Sequence, residues 1–244
     1  MLDILTDIDG FCRDNDIPYS LSSGTLLGAV RHGGFIPWDD DADIFMLRKD
    51  FERFTQSYKS SKYCLLYTPD SQQKFIVGGY AKVADTDTRV IEDPMGCTFG
   101  VFVDVFPLDD VPEDEKSRSS HMHAMRRLTN RLYHRQKHDL LSILKAHYHS
   151  MHEWWEKYRG FVEAEKYSDS TLAAHGFGAL NNRTVLNKSR FDNLREIEFE
   201  GRKFLAFNDP DSYLRMVYGD DYMTPPPPEK RECHGDRFIY RDGL

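Results

Sequence analysis

The sequence is short of several things. It has four cysteines in 244 residues, Cys12, Cys64, Cys97 and Cys233, scattered without metal-type spacing. That argues against a disulfide framework or a zinc module and for free thiols in a reducing compartment. It has no apolar run of the ~18 or more residues that would read as a membrane span. The opening "MLDILTDIDG" lacks the basic start and apolar stretch of a signal peptide, so a cytoplasmic location is expected. Positive charge is in deficit, with 32 Lys and Arg against 40 Asp and Glu, a net charge of -8. No global basic surface exists to attract nucleic acid. There is also no internal repeat.

What is present is an ordinary globular composition, 40% hydrophobic and 30% charged, enough for a real core in one large domain or one plus a subdomain. Leu2, Leu5, Ile8, Phe11 and Cys12 make a helical stripe. "IPYSLSS" reads as a short strand, and "GTLLGAVRHGG" as a short helix stopped by Gly33 and Gly34. "DADIFML" reads as a strand and "KDFERFTQSY" as a helix. Strands dominate from Tyr63 to Phe106, in "FIVGGYAKVAD", "TRVIED" and "GVFVDVFPL", and Pro107 and Pro112 close that block. A helical, locally basic stretch follows to about Lys166, holding seven of the ten histidines. "IEFEGRKFLAF" is a hairpin turning at Glu200-Gly201. "DPDSYLRMVYGDDY" is a capped helix, and "TPPPPEK" an extended tether. The expectation is an α+β fold: a core at 1–112, a helical insertion at 113–175, and a return to the core at 176–244.

The stretch "GGFIPWDDDADIFM" puts Asp39, Asp40, Asp41 and Asp43 within five residues, between apolar neighbours. Residues two apart on a strand face the same way, so Asp41 and Asp43 project together, joined by Asp39 if the strand begins that early, while Asp40 points elsewhere. Crowded carboxylates become tolerable around a hard divalent cation with oxygen ligands, magnesium or manganese. Asp104, flanked by Val103 and Val105 in a β-forming run, is costly to bury unless paired or metal-bound and would complete the set. Upstream, "SSGTLLG" joins a strand to a helix. Such a helix start favours anions, with Gly24 admitting a phosphate and Ser22, Ser23 or Thr25 donating hydroxyls. Together these elements fit metal-assisted phosphoryl or nucleotidyl transfer. Arg31 and His32 follow the turn and are candidates for the donor's phosphates, as is Lys82. His234, after the proline tether, is placed to fold back over the site.

"SGTLLGAVRHGGFIPWDDDADI", with "GVFVDVFPLDD" and "YGDDYMTPPPPEKRECHG", resembles the LicD family of phosphotransferases, which includes bacterial choline-phosphate transferases and is related to fukutin-type ribitol-phosphate transferases. The resemblance runs from the first helix to His234. It implies a nucleotidyltransferase-like mixed sheet with flanking helices. Asp41, Asp43 and Asp104 match the family's catalytic carboxylates, and Asp39 a further metal-proximal acid. The turn is Ser-Gly-Thr here rather than Gly-Ser. It further implies a CDP-activated alcohol as donor, CDP-choline first among them, and a cell-surface glycan or lipid-linked precursor as acceptor, with CMP leaving. For a choline donor, Trp38 is the aromatic candidate for cation–π contact with the quaternary ammonium. The arginines beside Leu128, Leu132 and Tyr133 would let the helical insertion rest on the anionic inner face of a membrane or hold a polyanionic acceptor.

Overall fold

The computed structural model describes residues 1–67, 79–92, 97–137, 153, 156–162, 167–175, 184–231 and 237–240, with side chains at 89–99, 129–137 and 237–240 left aside. The main sheet runs in the order β1 (Ser20–Leu21), β2 (Asp43–Leu47), β7 (Phe102–Asp110), β4 (Ala81–Asp85), β3 (Tyr63–Leu66). Strand β8 (Leu172–His175) pairs with the far half of β7 and with β9 (Val185–Asn187). A three-stranded sheet of β5 (Thr88–Glu92), β6 (Cys97–Phe99) and β12 (Arg237–Tyr240) stands apart, as does the hairpin of β10 (Leu194–Phe199) and β11 (Arg202–Phe207). The fold is α+β, as the sequence predicts, and consistent with a nucleotidyltransferase-like core.

Helix α1 (Leu2–Asp14) buries Ile4, Leu5, Ile8 and Cys12, and Phe11 meets Phe54 and Tyr58 edge-on. Helix α2 (Ser23–His32) ends at Gly33, whose φ of 72° is the left-handed cap a glycine adopts without strain. Helix α3 (Arg48–Ser57) buries Phe51 and Phe54. Helix α4 (Glu115–Lys137) opens the insertion, and residues 156–162 are helical again. Of the histidines in this stretch, His138, His147, His149 and His152 lie outside the described residues, as do Trp154 and Trp155. The segment 113–175 also contains β8, which belongs to the main sheet. Helix α5 (Pro210–Tyr218) is capped by Asp209, whose carboxylate accepts from the Ser212 N–H at 3.1 Å.

Two readings of the sequence give way. Strand β2 begins at Asp43, so Asp39 and Asp41 precede it rather than sharing its face. The cause is local: the Asp43 N–H donates to Thr25 Oγ1 at 2.8 Å, a side chain where a strand partner would otherwise stand. Pro107 does not close a block but lies inside β7. The Asp104 N–H points to the β2 side, bonding Ala42 O at 2.8 Å, so by alternation position 107 faces the other side. There β4 ends at Val105 and β8 begins at Leu108. The donor that proline lacks therefore falls in a gap between two neighbours, where it costs nothing.

On the opposite face of β7 from Asp104, by the period of two, Asp109 accepts from Arg48 Nε at 2.6 Å, and Arg48 Nη2 reaches the Tyr158 hydroxyl at 3.2 Å. Their side chains are 2% and 12% exposed. Asp109→Ala strands a buried guanidinium and should cost roughly 3–5 kcal/mol, lowering Tm in calorimetry by roughly 10 °C for a chain of this size. Asp109→Leu with Arg48→Met should recover most of the loss; equal loss in single and double variants would contradict the ion-pair account.

Candidate active site

Parallel register places Asp43 of β2 directly beside Asp104 of β7, and antiparallel register places Lys82 of β4 on the other side of Asp104. The three make one row on one sheet face. Lys82 Nζ lies 2.8 Å from Asp104 Oδ1 and 3.4 Å from the centroid of the Phe102 ring. Both partners are buried. The next row is aromatic: Phe45 pairs with Phe106 at 6.3 Å, and His175 packs on both rings, at 5.4 and 4.7 Å.

A cavity of about 760 Å³ opens over this face. Its lining includes Ser23, Gly24, Arg31, Trp38, Asp39, Asp41, Asp43, Phe106 and His175, and then Tyr218, Asp221, Tyr222 and Pro225–Pro227 from the C-terminal third. Burial pushes the Asp43 carboxyl well above the usual carboxylate range, and the nearby charges of Asp41, Asp104 and Asp39 push the same way, with Lys82 opposing. A larger cavity of about 970 Å³ opens beside the Arg48–Asp109 pair, but none of the four clustered aspartates lines it, so the first is the candidate site.

The start of α2 is built around this acid group. A methyl group on Gly24 would collide with the Asp39 carboxylate, so the glycine lets that carboxylate lie against the first turn. The favourable end of the helix macrodipole is thus met by an acid of the chain itself. Ser23 holds a φ of 47°, rare for a residue with a side chain, and its N–H donates to the Tyr213 hydroxyl at 3.1 Å. Thr25 is buried and faces the strand, holding the Asp43 N–H.

Of the residues singled out in the sequence, the structure brings Ser23, Gly24, Arg31, Trp38, Asp39, Asp41 and Asp43 around one cavity. Thr25, His32, Lys82 and Asp104 do not line it, and His234 lies outside the described residues. Asp104 stands one strand behind Asp43. Lys82 is buried in an interior strand, not at a sheet edge, and its ammonium is bound to Asp104. Arg31 gives an N–H to the Tyr222 carbonyl at 2.8 Å, and burial lowers its pKa. His32 is exposed, its ring edge-on to Trp38 at 6.1 Å, with its pKa lowered by burial and by Arg31.

Sequence reasoning passed over His175, Tyr218, Asp221, Tyr222 and Lys230. Burial pushes His175 down to about 4, against the pull of a hydrogen bond to the Pro107 carbonyl, so the ring is neutral near pH 7. Burial of the Tyr218 hydroxyl, with Tyr213 and the aspartates nearby, raises its pKa although the residue as a whole is 38% exposed. Only period-two alternation on β8 could have signalled His175.

The donor set suits a hard cation: Asp39, Asp41 and Asp43 offer oxygens on one wall. Yet among the described residues no three acidic, His or Cys side chains are already arranged to hold a metal ion. The chemistry fits, and the cage would have to be drawn in on binding.

A mixed sheet carrying an acid row beside a strand–helix turn is consistent with a nucleotidyltransferase-like fold. A family model described as the LicD/FKTN/FKRP nucleotidyltransferase domain matches residues 16–125. The chain is 31% identical over 253 aligned positions to the lipopolysaccharide cholinephosphotransferase LicD of Haemophilus influenzae, covering 98% of this chain and 94% of that protein. Uncharacterized proteins of Rickettsia typhi and Rickettsia prowazekii match shorter stretches, 47% identical over 53 residues and 49% over 47. These cover 22% and 19% of this chain, and 17% and 18% of theirs. The chain belongs to the LicD family.

A raised folded pKa on a carboxyl means that its charge opposes folding. The cost is absent below the unfolded value, near ~4, grows as pH rises, and is complete above the folded value. Asp43→Asn should therefore melt higher than the wild type at pH 8, by about 2–4 °C for each kcal/mol relieved, with the difference closing toward pH 4. Thermal melts across that range check this; a variant that melts lower at pH 8 would contradict it.

Proposed function

We propose that the chain transfers phosphocholine from CDP-choline to a hydroxyl of a cell-surface glycan or its lipid-linked precursor, releasing CMP. The observation that carries this is the lining of one cavity by Asp39, Asp41 and Asp43 in a chain akin, along almost its whole length, to a lipopolysaccharide cholinephosphotransferase. A volume of about 760 Å³ is within the usual range for a small-molecule site.

In this reading the acceptor hydroxyl oxygen bonds to the phosphorus that carries choline, and the bond from that phosphorus to the oxygen bridging to CMP breaks. The hydroxyl proton passes to a carboxylate of the cavity, and CMP leaves with the bridging oxygen. Asp39, Asp41 and Asp43 would hold magnesium, which when bound neutralises phosphate charge and stabilises the leaving oxygen. Asp104 and Lys82 buttress Asp43 from behind. The neutral His175 and Phe106 keep the floor of the cavity free of further charge. Tyr213 and Thr25 fix the turn and the strand to each other.

Thermal melts with CDP-choline, CDP-ribitol, CDP-glycerol and CTP, each with and without magnesium, test the donor. A ligand at about a hundredfold its Kd stabilises by roughly 2.7 kcal/mol. The expected result is a magnesium-dependent shift with CDP-choline that Asp41→Asn abolishes, and CMP as the nucleotide product. A response to CTP alone, with diphosphate released, would instead make the chain a nucleotidyltransferase.

A further inference from the structure

The cavity has a second wall that the reaction above does not use. After α5 the chain turns at Gly219, φ 93°, and runs back along the site as a strap. Tyr222, Thr224, Pro225–Pro227 and Lys230 all line the cavity. The strap is fastened at three places. Arg31 donates to the Tyr222 carbonyl at 2.8 Å, and the Tyr222 hydroxyl donates to Asp211 Oδ1 at 2.8 Å. At its far end the Arg231 guanidinium lies 4.2 Å from the centroid of the Trp38 ring, with Nε donating to the Pro226 carbonyl at 3.1 Å. Between the fastenings are consecutive prolines, which restrict φ and make the strap stiff.

Arg231 is thus an exposed cation held by the residue that immediately precedes Asp39 in sequence. An indole face binds a guanidinium without using its N–H groups, so the planar fork stays presented for bidentate contact. One of five donors is spent on Pro226. Lys230, next to it, lines the cavity itself. Arg31, the sequence's candidate for phosphate, has an N–H committed to fastening the strap.

We propose that Lys230 and Arg231 are the diphosphate-binding cations of the site, and that Trp38 is the seat that positions Arg231. The inference rests on the donor reading above and assigns the donor's phosphates to the strap rather than to the start of α2, where Asp39 already lies. It also gives Trp38 a partner within the protein: its face holds an arginine instead of the donor's quaternary ammonium.

Isothermal titration calorimetry in magnesium tests it with three probes: CDP-choline, cytidine and inorganic pyrophosphate. Lys230→Ala and Arg231→Ala should each weaken CDP-choline and pyrophosphate by about tenfold or more, as for loss of a charge-assisted hydrogen bond, and leave cytidine unchanged. Trp38→Leu should reproduce Arg231→Ala, and Trp38→Phe should recover binding by restoring an aromatic face. Melting temperatures of the same samples confirm folding. Equal loss for cytidine, or no loss for CDP-choline and pyrophosphate, overturns the proposal. So does a wild type that binds neither phosphate probe. A wild type that ignores CDP-choline but binds pyrophosphate, with that binding lost in both alanine variants, upholds the clamp and sinks the donor reading instead.

Discussion

Two like charges in adjacent strands govern this molecule. Asp43 and Asp104 stand side by side because β2 and β7 run in parallel register, and sheet pairing leaves neither free to move apart. Burial raises the cost of each charge and of their mutual repulsion. The surroundings divide the burden unequally. Lys82 lies against Asp104, whereas Asp43 faces Asp41 and Asp39 as well. A site of this kind is less stable than a neutral one would be, and the excess negative charge raises the affinity of Asp43 for a proton.

Holding such a group in place takes support from far along the chain. The Asp43 N–H is bound by Thr25 and its carbonyl by the Ser22 N–H, so strand and helix start are fixed together. Tyr213 reaches from α5 to Ser23, and Ser20 Oγ accepts from the Phe207 N–H of β11. The tip of the β10–β11 hairpin, Glu200, takes the Phe35 N–H and gives its own N–H to the Gly33 carbonyl, clamping the loop that leads into the aspartates. The last third of the chain thereby holds in place the aspartate-bearing segment of the first third.

Much of this was legible in the sequence because it depends on local pattern. The stripe of α1, the glycine stop of α2, the hairpin turn at Glu200-Gly201 and the capped α5 each follow from a few adjacent residues. The acid cluster announced itself by its density. What escaped were features set by pairing across the sheet. Nothing near Lys82 in sequence reveals that it sits opposite Asp104, and His175 reaches the site only because β8 attaches beyond Pro107. Thr25 was one of three hydroxyls that the sequence offered to a phosphate, because its neighbours are those of an anion-binding turn. Its burial depends on where β2 lies. The start of β2 was misplaced for the same reason: a side-chain acceptor from another element took the N–H that a longer ladder would have used.

The break beside Pro107 bears on how the fold can vary. Strand β7 carries β4 on one half and β8 on the other, and the chain leaves the sheet at the end of β7 only to return as β8 beside it. Everything between, including α4, is an excursion whose two ends are pinned by the same strand. Closing a longer loop costs little more than closing a shorter one, since the entropy grows only with the logarithm of its length. A change of length there leaves the Asp43–Asp104 register alone, provided that Tyr158 still reaches Arg48 and Met122 still packs on Val111 and Ala174. The missing amide hydrogen of Pro107 thus marks where β7 passes from one neighbouring strand to another, on the side away from β2 and Asp43.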